Sequence, residues 1–128
     1  ILYYIDSNGE LFGPIKDNLN LPPLKKVTGF NQDIILVGEC GTVWLNSSPN
    51  SKCKLNPNPG DIINITDEYS LPPIYNVFCF SDNMYFITKD GDCYSYGSNK
   101  NGALGRQTSS ILDKASFPPV MFMYDIEI

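Results

Sequence analysis

Four cysteines (Cys40, Cys53, Cys79 and Cys93) and, among the chain's 14 acids, the group Asp61, Asp67 and Glu68 are the side chains whose types and spacing invite a test for chemistry. A metal knuckle or a dithiol redox site needs paired cysteines, and no two stand in a CxxC. The chain has no histidine, which removes Ser-His and Cys-His nucleophilic pairs and every histidine-containing zinc site. Cys79 and Cys93 lie in apolar strand-like runs, where a thiol acts as a small core residue. Cys40 and Cys53 could bridge a loop, but reduced thiols in an intracellular setting, cytoplasmic or nuclear, fit this chain better. Asp61, Asp67 and Glu68 lack the alternating spacing of a calcium loop and read as surface acid. There is no Gly-Lys-Ser/Thr phosphate loop and no obvious carboxylate pair. No catalytic residue, metal or cofactor is therefore expected, and the chain reads as a non-enzyme.

Composition narrows the partners. Of 128 residues, 42% are hydrophobic and 18% charged, the balance of one folded domain. The net charge of −5 and the scattered lysines and arginines argue against direct nucleic-acid binding; Lys25-Lys26 is the nearest approach to a basic cluster. No apolar run approaches the roughly 20 residues of a membrane-spanning helix. The chain opens on Ile1 with no basic, apolar leader behind it, which suggests a processed chain or an excerpt. Two glycosylation sequons, Asn46-Ser47-Ser48 and Asn64-Ile65-Thr66, carry little weight in a chain so rich in Asn, Ser and Thr.

The elements that would position these residues are strands. Short β-branched and aromatic runs alternate with Gly, Pro, Asn and Asp clusters, an all-β pattern. Strands are expected at Leu2–Ile5, Leu11–Phe12, Leu24–Thr28, Asp33–Val37, Thr42–Leu45, Ile62–Thr66, Ile74–Phe80, Met84–Thr88, Cys93–Tyr96 and Val120–Tyr124. One short helix could occupy Ser109–Ala115.

The chain also repeats itself. Leu21-Pro22-Pro23-Leu24-Lys25-Lys26-Val27-Thr28-Gly29-Phe30 returns as Leu71-Pro72-Pro73-Ile74-Tyr75-Asn76-Val77-Phe78-Cys79-Phe80. At the same offset Asp33–Val37 answers Asn83–Ile87, and Gly41 answers Gly91. A weaker copy, Leu2–Ile5 then Asn8-Gly9 then Leu11–Gly13, opens the chain, and Phe117-Pro118-Pro119-Val120 is either a further echo or a last strand. Asn8-Gly9 and Asp90-Gly91 predict two-residue type I′ hairpins, while Cys40-Gly41 puts a poorer residue before its glycine, at some cost.

A repeat of forty to fifty residues with three or four short strands indicates propeller blades or another all-β array. The stretch Tyr94-Ser95-Tyr96-Gly97-Ser98-Asn99-Lys100-Asn101-Gly102-Ala103-Leu104-Gly105 resembles the regulator of chromosome condensation repeat, in which a strand, an Asp-Gly hairpin and an aromatic-Gly pair lead into G-x-N-x-x-G-x-L-G. Thr88, Asp90, Gly91, Tyr96, Gly97, Asn99, Gly102, Leu104 and Gly105 fall where that pattern wants them. Glycines there allow left-handed backbone, Asn99 can bond the loop backbone and Leu104 can plug the core. The middle copy departs from the motif at Asn46–Cys53, and Tyr96 and Asn83 stand where the family often has tryptophan and histidine.

The resemblance implies a partial β-propeller, roughly two to three blades of four-stranded antiparallel sheet. Residues 1–20 would end one blade, 21–70 form a degenerate blade, 71–116 the best-matching blade, and 117–128 a last strand or the start of the next. It further implies a non-catalytic protein-interaction scaffold within a larger regulatory protein. Its partners would be proteins, the remaining blades of the ring or a small GTPase, on which guanine-nucleotide exchange is the alternative activity. The motif residues are scaffold, so partner contacts are expected from loops. The candidates are Asn46–Asp61 and Ser98–Asp113, the latter with Lys100, Asn101 and Arg106.

Overall fold

The computed structural model describes residues 3–13, 21–80, 83–98 and 111–115. A two-stranded hairpin, β1 (Tyr4–Ile5) with β2 (Leu11–Phe12), precedes two four-stranded antiparallel meanders. The first runs β3 (Leu24–Phe30), β4 (Asp33–Gly38), β5 (Val43–Asn46), β6 (Ile62–Asn64), then a helical turn α1 (Ile65–Glu68). The second runs β7 (Ile74–Cys79), β8 (Asn83–Thr88), β9 (Cys93–Gly97), β10 (Asp113–Lys114). This is an all-β, partial β-propeller-like fold. No helix among the described residues is long and apolar enough to cross a membrane.

The sequence repeat is a repeat of register. Val27 opposes Leu36 as Val77 opposes Phe86, and Leu36 opposes Trp44 as Phe86 opposes Tyr94. Even the β-bulge recurs, between Leu24 and Lys26 and between Ile74 and Asn76. Because strand side chains alternate, matching registers give matching faces. Ile35, Val37, Val43 and Leu45 of the first sheet pack with Ile74, Val77, Met84 and Phe86 of the second into one core. Each such fully buried side chain contributes about 1.5–3 kcal/mol. Lys26 crosses the same interface, its Nζ donating to Asn76 Oδ1 at 3.1 Å and the Val77 carbonyl at 2.6 Å. Burial lowers its pKa, and the Phe78 ring lies 4.4 Å away.

The three hairpins differ from the type I′ expectation. In each, one residue donates its N–H to the carbonyl four positions on: Asp6 to Glu10 (3.0 Å), Gly38 to Thr42 (2.7 Å), Thr88 to Asp92 (2.8 Å). The glycine N–H then returns to that residue's carbonyl, Gly9 to Asp6, Gly41 to Gly38 and Gly91 to Thr88. Each loop has three residues, and within it only the glycine has positive φ, at 77°, 98° and 91°. Closing on a left-handed glycine spares the preceding residue. Cys40 thus carries no left-handed penalty, and the cost expected there does not arise.

The hairpin glycines also join neighbouring sheets. Leu24 N–H donates to the Gly9 carbonyl at 2.8 Å, and Ile74 N–H to the Gly41 carbonyl at 2.9 Å. The proline before each aliphatic residue accepts from the hairpin of its own sheet, Pro23 from Glu39 at 2.9 Å and Pro73 from Lys89 at 3.0 Å. Each Pro-Pro-aliphatic run is therefore clamped between two hairpins.

Two elements correct the sequence reading. The strand expected through Thr66 stops short, and α1 begins at Ile65, because Asn64 Oδ1 accepts from the Asp67 N–H and from the Thr66 hydroxyl, an N-cap that competes with the ladder. Of the helix expected in Ser109–Ala115, the described part, Ile111–Ala115, instead contains β10, held by pairing to β9. The strand expected at Val120–Tyr124 lies outside the described residues.

Candidate functional site: a polar cleft on one rim

The strand ends carrying the β3–β4 turn and the β5–β6 connection form one rim. Asp33 opens β4 almost wholly buried, at 3% exposure. Its Oδ1 accepts from the Ser48 N–H at 3.0 Å and its Oδ2 from the Ser51 hydroxyl at 2.5 Å. Ser51 Oγ in turn accepts from the Cys53 N–H at 3.1 Å. Both oxygens of this carboxylate tie down the loop, and Ser51 is held as the knot between them.

The rest of the connection is equally fixed. Its ends meet through Ser47 N–H to the Asp61 carbonyl at 3.3 Å. Asn56, 3% exposed, donates from Nδ2 to Ser47 Oγ at 2.9 Å and the Asp61 carbonyl at 2.8 Å, and accepts from the Asn58 N–H. Leu55 and Cys53 plug into the core between the sheets, and the Tyr69 hydroxyl donates to the Leu55 carbonyl at 2.6 Å. The second sheet takes part as well: the Tyr96 hydroxyl accepts from the Lys54 N–H at 2.9 Å. Burial pushes that phenol up to about 12. The Tyr96 ring meets Phe30 edge-on, 6.2 Å between centroids.

Between this loop and the turn lies a cleft of about 230 Å³ lined by Asn31, Gln32, Asp33, Asn50, Ser51, Lys52 and Cys53. It shares Asn31, Gln32, Asp33 and Asn50 with a wider groove of about 660 Å³ that reaches Tyr3, Val27 and Thr28. Asn31 holds the turn with φ 56°. The lining offers exposed amides and one ammonium, suited to hydrogen bonding with a polar peptide surface.

The expected motif residues are split between the two rims. Thr88, Asp90 and Gly91 form the hairpin at the far rim, where Thr88 Oγ1 accepts from the Asp92 N–H at 2.9 Å. Tyr96 and Gly97, the latter at φ 123°, end β9 at the cleft rim. Asn99, Lys100, Asn101, Gly102, Leu104, Gly105 and Arg106 lie outside the described residues.

Asp33 is an anchor that the sequence reading does not single out. Its signal is a polar residue opening an apolar strand in both copies, since Asn83 answers it and donates from Nδ2 to the Ser98 carbonyl at 2.7 Å. Asn64 of the second sequon is engaged in its cap. Asp67 accepts from Asn64 Nδ2 at 3.2 Å, and no group of three metal-ligating side chains occurs among the described residues. All four cysteines are free, Cys40 exposed and Cys53 and Cys93 buried.

No family model matches the chain, and no curated protein matches it. Among solved structures, that of human WBSCR16 matches with a TM-score of 0.62 at 11% sequence identity. The match covers 84% of this chain and 28% of that one, so the chain spans under a third of the solved protein, and the likeness is one of fold.

Proposed function

We propose that this chain is part of a non-catalytic interaction scaffold of the regulator of chromosome condensation repeat type, and that the rim cleft with its loop receives a protein partner. The observation that carries this reading is how densely residues 48–60 are hydrogen-bonded and anchored in the core. Ser47 and Asp61 are already in backbone contact, so a tight hairpin would have served to join β5 to β6. Ordering the longer excursion costs about 1–2 kcal/mol per residue in backbone entropy. The fold offsets that cost with the buried Asp33, Asn56, Cys53 and Leu55, and so presents Asn31, Gln32, Asn50 and Lys52 in a fixed array. Preorganised polar groups on a rigid frame are what a binding loop needs.

A photo-crosslinking residue placed at Asn50 or Lys52 of the full-length protein tests this. It should trap a discrete protein partner, and Asp33→Ala, which frees the loop, should abolish the adduct. The same probe at Glu39 on the far rim should not trap it. Equal adducts from both rims, or none, would overturn the reading. Release of labelled GDP from small GTPases should stay at its intrinsic rate with the full-length protein added; a tenfold acceleration would replace the scaffold with the exchange-factor alternative.

A further inference from the structure

Among the described residues β3 is an edge strand, paired with β4 alone. Antiparallel ladders alternate bonded and non-bonded pairs, so every second residue of an edge strand turns its N–H and C=O outward. The hairpin beyond β4 sets which residues these are. Gly38 N–H donates to the Thr42 carbonyl at 2.7 Å, so Gly38 and, two residues back, Leu36 face β5. Val27, which opposes Leu36, and Gly29, which opposes Ile34, therefore turn their backbone groups away from β4. In the second sheet the matching groups of Val77 are both taken. Its N–H donates to Asn76 Oδ1 at 2.8 Å, and its carbonyl accepts from Lys26 Nζ at 2.6 Å. Among the described residues nothing does the same for Val27 or Gly29.

We propose that this open edge takes an extended segment of a partner protein as an added strand; the proposal rests on the rim cleft as a partner site and gives the mode of contact there. Three observations carry it. First, the groove of about 660 Å³ that joins the cleft is lined by Val27, Thr28 and Gly29 in succession. Side chains of one face recur at every second residue, so what borders the groove is the strand's edge. Second, the guards that protect natural sheet edges are missing from residues 27–29. The bulge lies earlier, between Leu24 and Lys26, and Pro22-Pro23 earlier still. Both nearby lysines lean away: Lys25 Nζ sits 4.3 Å from the Tyr75 ring centroid, and Lys26 crosses to the second sheet. Third, the approach to Gly29 is open, since even a Cβ built there meets nothing nearer than 3.8 Å. The added strand bonds through the N–H and C=O of both Val27 and Gly29, which excludes proline at its paired positions. Its side chains alternate. One inward residue meets Val27 and Ile34, which share a face, and is apolar. Beside the β3–β4 turn the segment meets the amides of Asn31, Gln32 and Asn50, and is polar there.

Hydrogen exchange of the full-length protein, resolved to single amides, tests the edge. Without a partner, Val27 and Gly29 should exchange roughly a hundredfold faster than Thr28, whose N–H bonds β4. Equal protection at all three would mean that the edge is already covered, and would overturn the proposal. The probe for binding is a linear peptide selected on the same protein from a displayed random library. Once bound, it should slow exchange at Val27 and Gly29. Methylating one alternate set of its amide nitrogens should weaken binding roughly tenfold or more, while methylating the other set is tolerated. Gly29→Pro removes an outward donor without touching the ladder to β4 and should weaken the peptide likewise; Gly29→Ala keeps that donor and should not. If the proline variant fails to fold, the methylated peptides decide. Peptides that bind yet leave Val27 and Gly29 unprotected, equal loss from both methylated sets, or a library that yields no binder would each sink the added strand. The two readings fail separately. A crosslinked adduct from Asn50 that survives Gly29→Pro keeps the rim partner and removes the strand, whereas edge protection without any adduct from Asn50 keeps the strand and removes the rim reading.

Discussion

Replacing Gly41 by alanine perturbs the clamp at a single methyl group. Gly41 holds φ 98°, and a Cβ built there would stand 3.0 Å from Pro73 Cβ and 3.2 Å from Pro73 Cα. Left-handed backbone costs an L-residue about 1–2 kcal/mol. The contact with Pro73 adds to this, because the neighbour is a proline ring and its backbone. Moving Pro73 away stretches the 2.9 Å bond from Ile74 N–H to the Gly41 carbonyl. Ile74 is fully buried, so its amide would lose its partner away from water, at about 1–3 kcal/mol. The expected loss is about 2–5 kcal/mol, a large share of the stability of a domain this size.

Urea unfolding followed by tryptophan fluorescence at Trp44 provides the assay. Gly29→Ala is the control, since a Cβ at Gly29 meets nothing nearer than the Asp33 carbonyl oxygen at 3.8 Å. It should change stability by less than about 1 kcal/mol. Gly41→Asn separates the two parts of the cost: asparagine tolerates left-handed backbone but keeps the Cβ against Pro73. The asparagine variant should therefore recover only part of the loss. Equal effects of Gly41→Ala and Gly29→Ala would refute the clamp, and full recovery in Gly41→Asn would reduce it to a turn preference.

Three further outcomes follow from the same geometry. Asp33→Ala leaves the Ser48 amide without its acceptor and should cost about 2–4 kcal/mol, with faster hydrogen exchange at Ser48 and Cys53; Asp33→Asn keeps part of the bonding and should cost about half as much. Asn64→Ala removes the N-cap of α1 and should cost about 1 kcal/mol in the same unfolding assay, with Asn64→Asp nearly neutral. Alkaline pH should destabilise the fold: burial raises Cys79 from 9.0 to about 11 and Cys93 from 9.0 to about 12. Both groups stay protonated in the folded chain where the unfolded chain ionises, so their contribution is intact below pH 9 and is lost as pH rises from about 9 toward 12. The urea midpoint should fall over that window, and Cys93→Ala should flatten the decline; a midpoint independent of pH there would contradict the assigned burial.

Strand positions and the repeat are legible in the sequence because they rest on period-two alternation and on a register kept between copies. Leu24–Phe30 and Ile74–Cys79 stand fifty residues apart in the amino-acid sequence, each behind a Leu-Pro-Pro run and with Val27 answering Val77. The hairpin type is not legible, because Asn-Gly and Asp-Gly serve a two-residue turn and a three-residue loop equally well, and the choice lies in the backbone bonds of Asp6 and Thr88. The helical turn is hidden by Ile62–Ile65, whose β-branched run reads as strand until Asn64 folds back on Asp67. Most of the cleft is hidden as well. The connection Asn46–Asp61 stands out by its length, but nothing local ties Ser48 and Ser51 to Asp33, and a long-range bond to a buried carboxylate has no signature in a single segment.

That bond changes how the middle copy should be understood. The later connection is rich in glycine, with a leucine expected to plug the core, whereas Asn46–Asp61 has one glycine and looks degenerate beside it. In the structure the earlier connection solves the same problem by other means. Leu55 is fully buried and fills the core, and the Asp33 and Asn56 side chains tie the loop down with the help of a single left-handed glycine, Gly60 at φ 95°. Asp33 accepts from the backbone of residue 48 where Asn83 donates to that of residue 98, so one position serves both solutions with opposite polarity. Side-chain bonds fix a loop without committing its other residues to glycine. Asn50 and Lys52 are consequently free to present functional groups, and the copy that departs furthest from the motif is the one whose rim chemistry can be most specific.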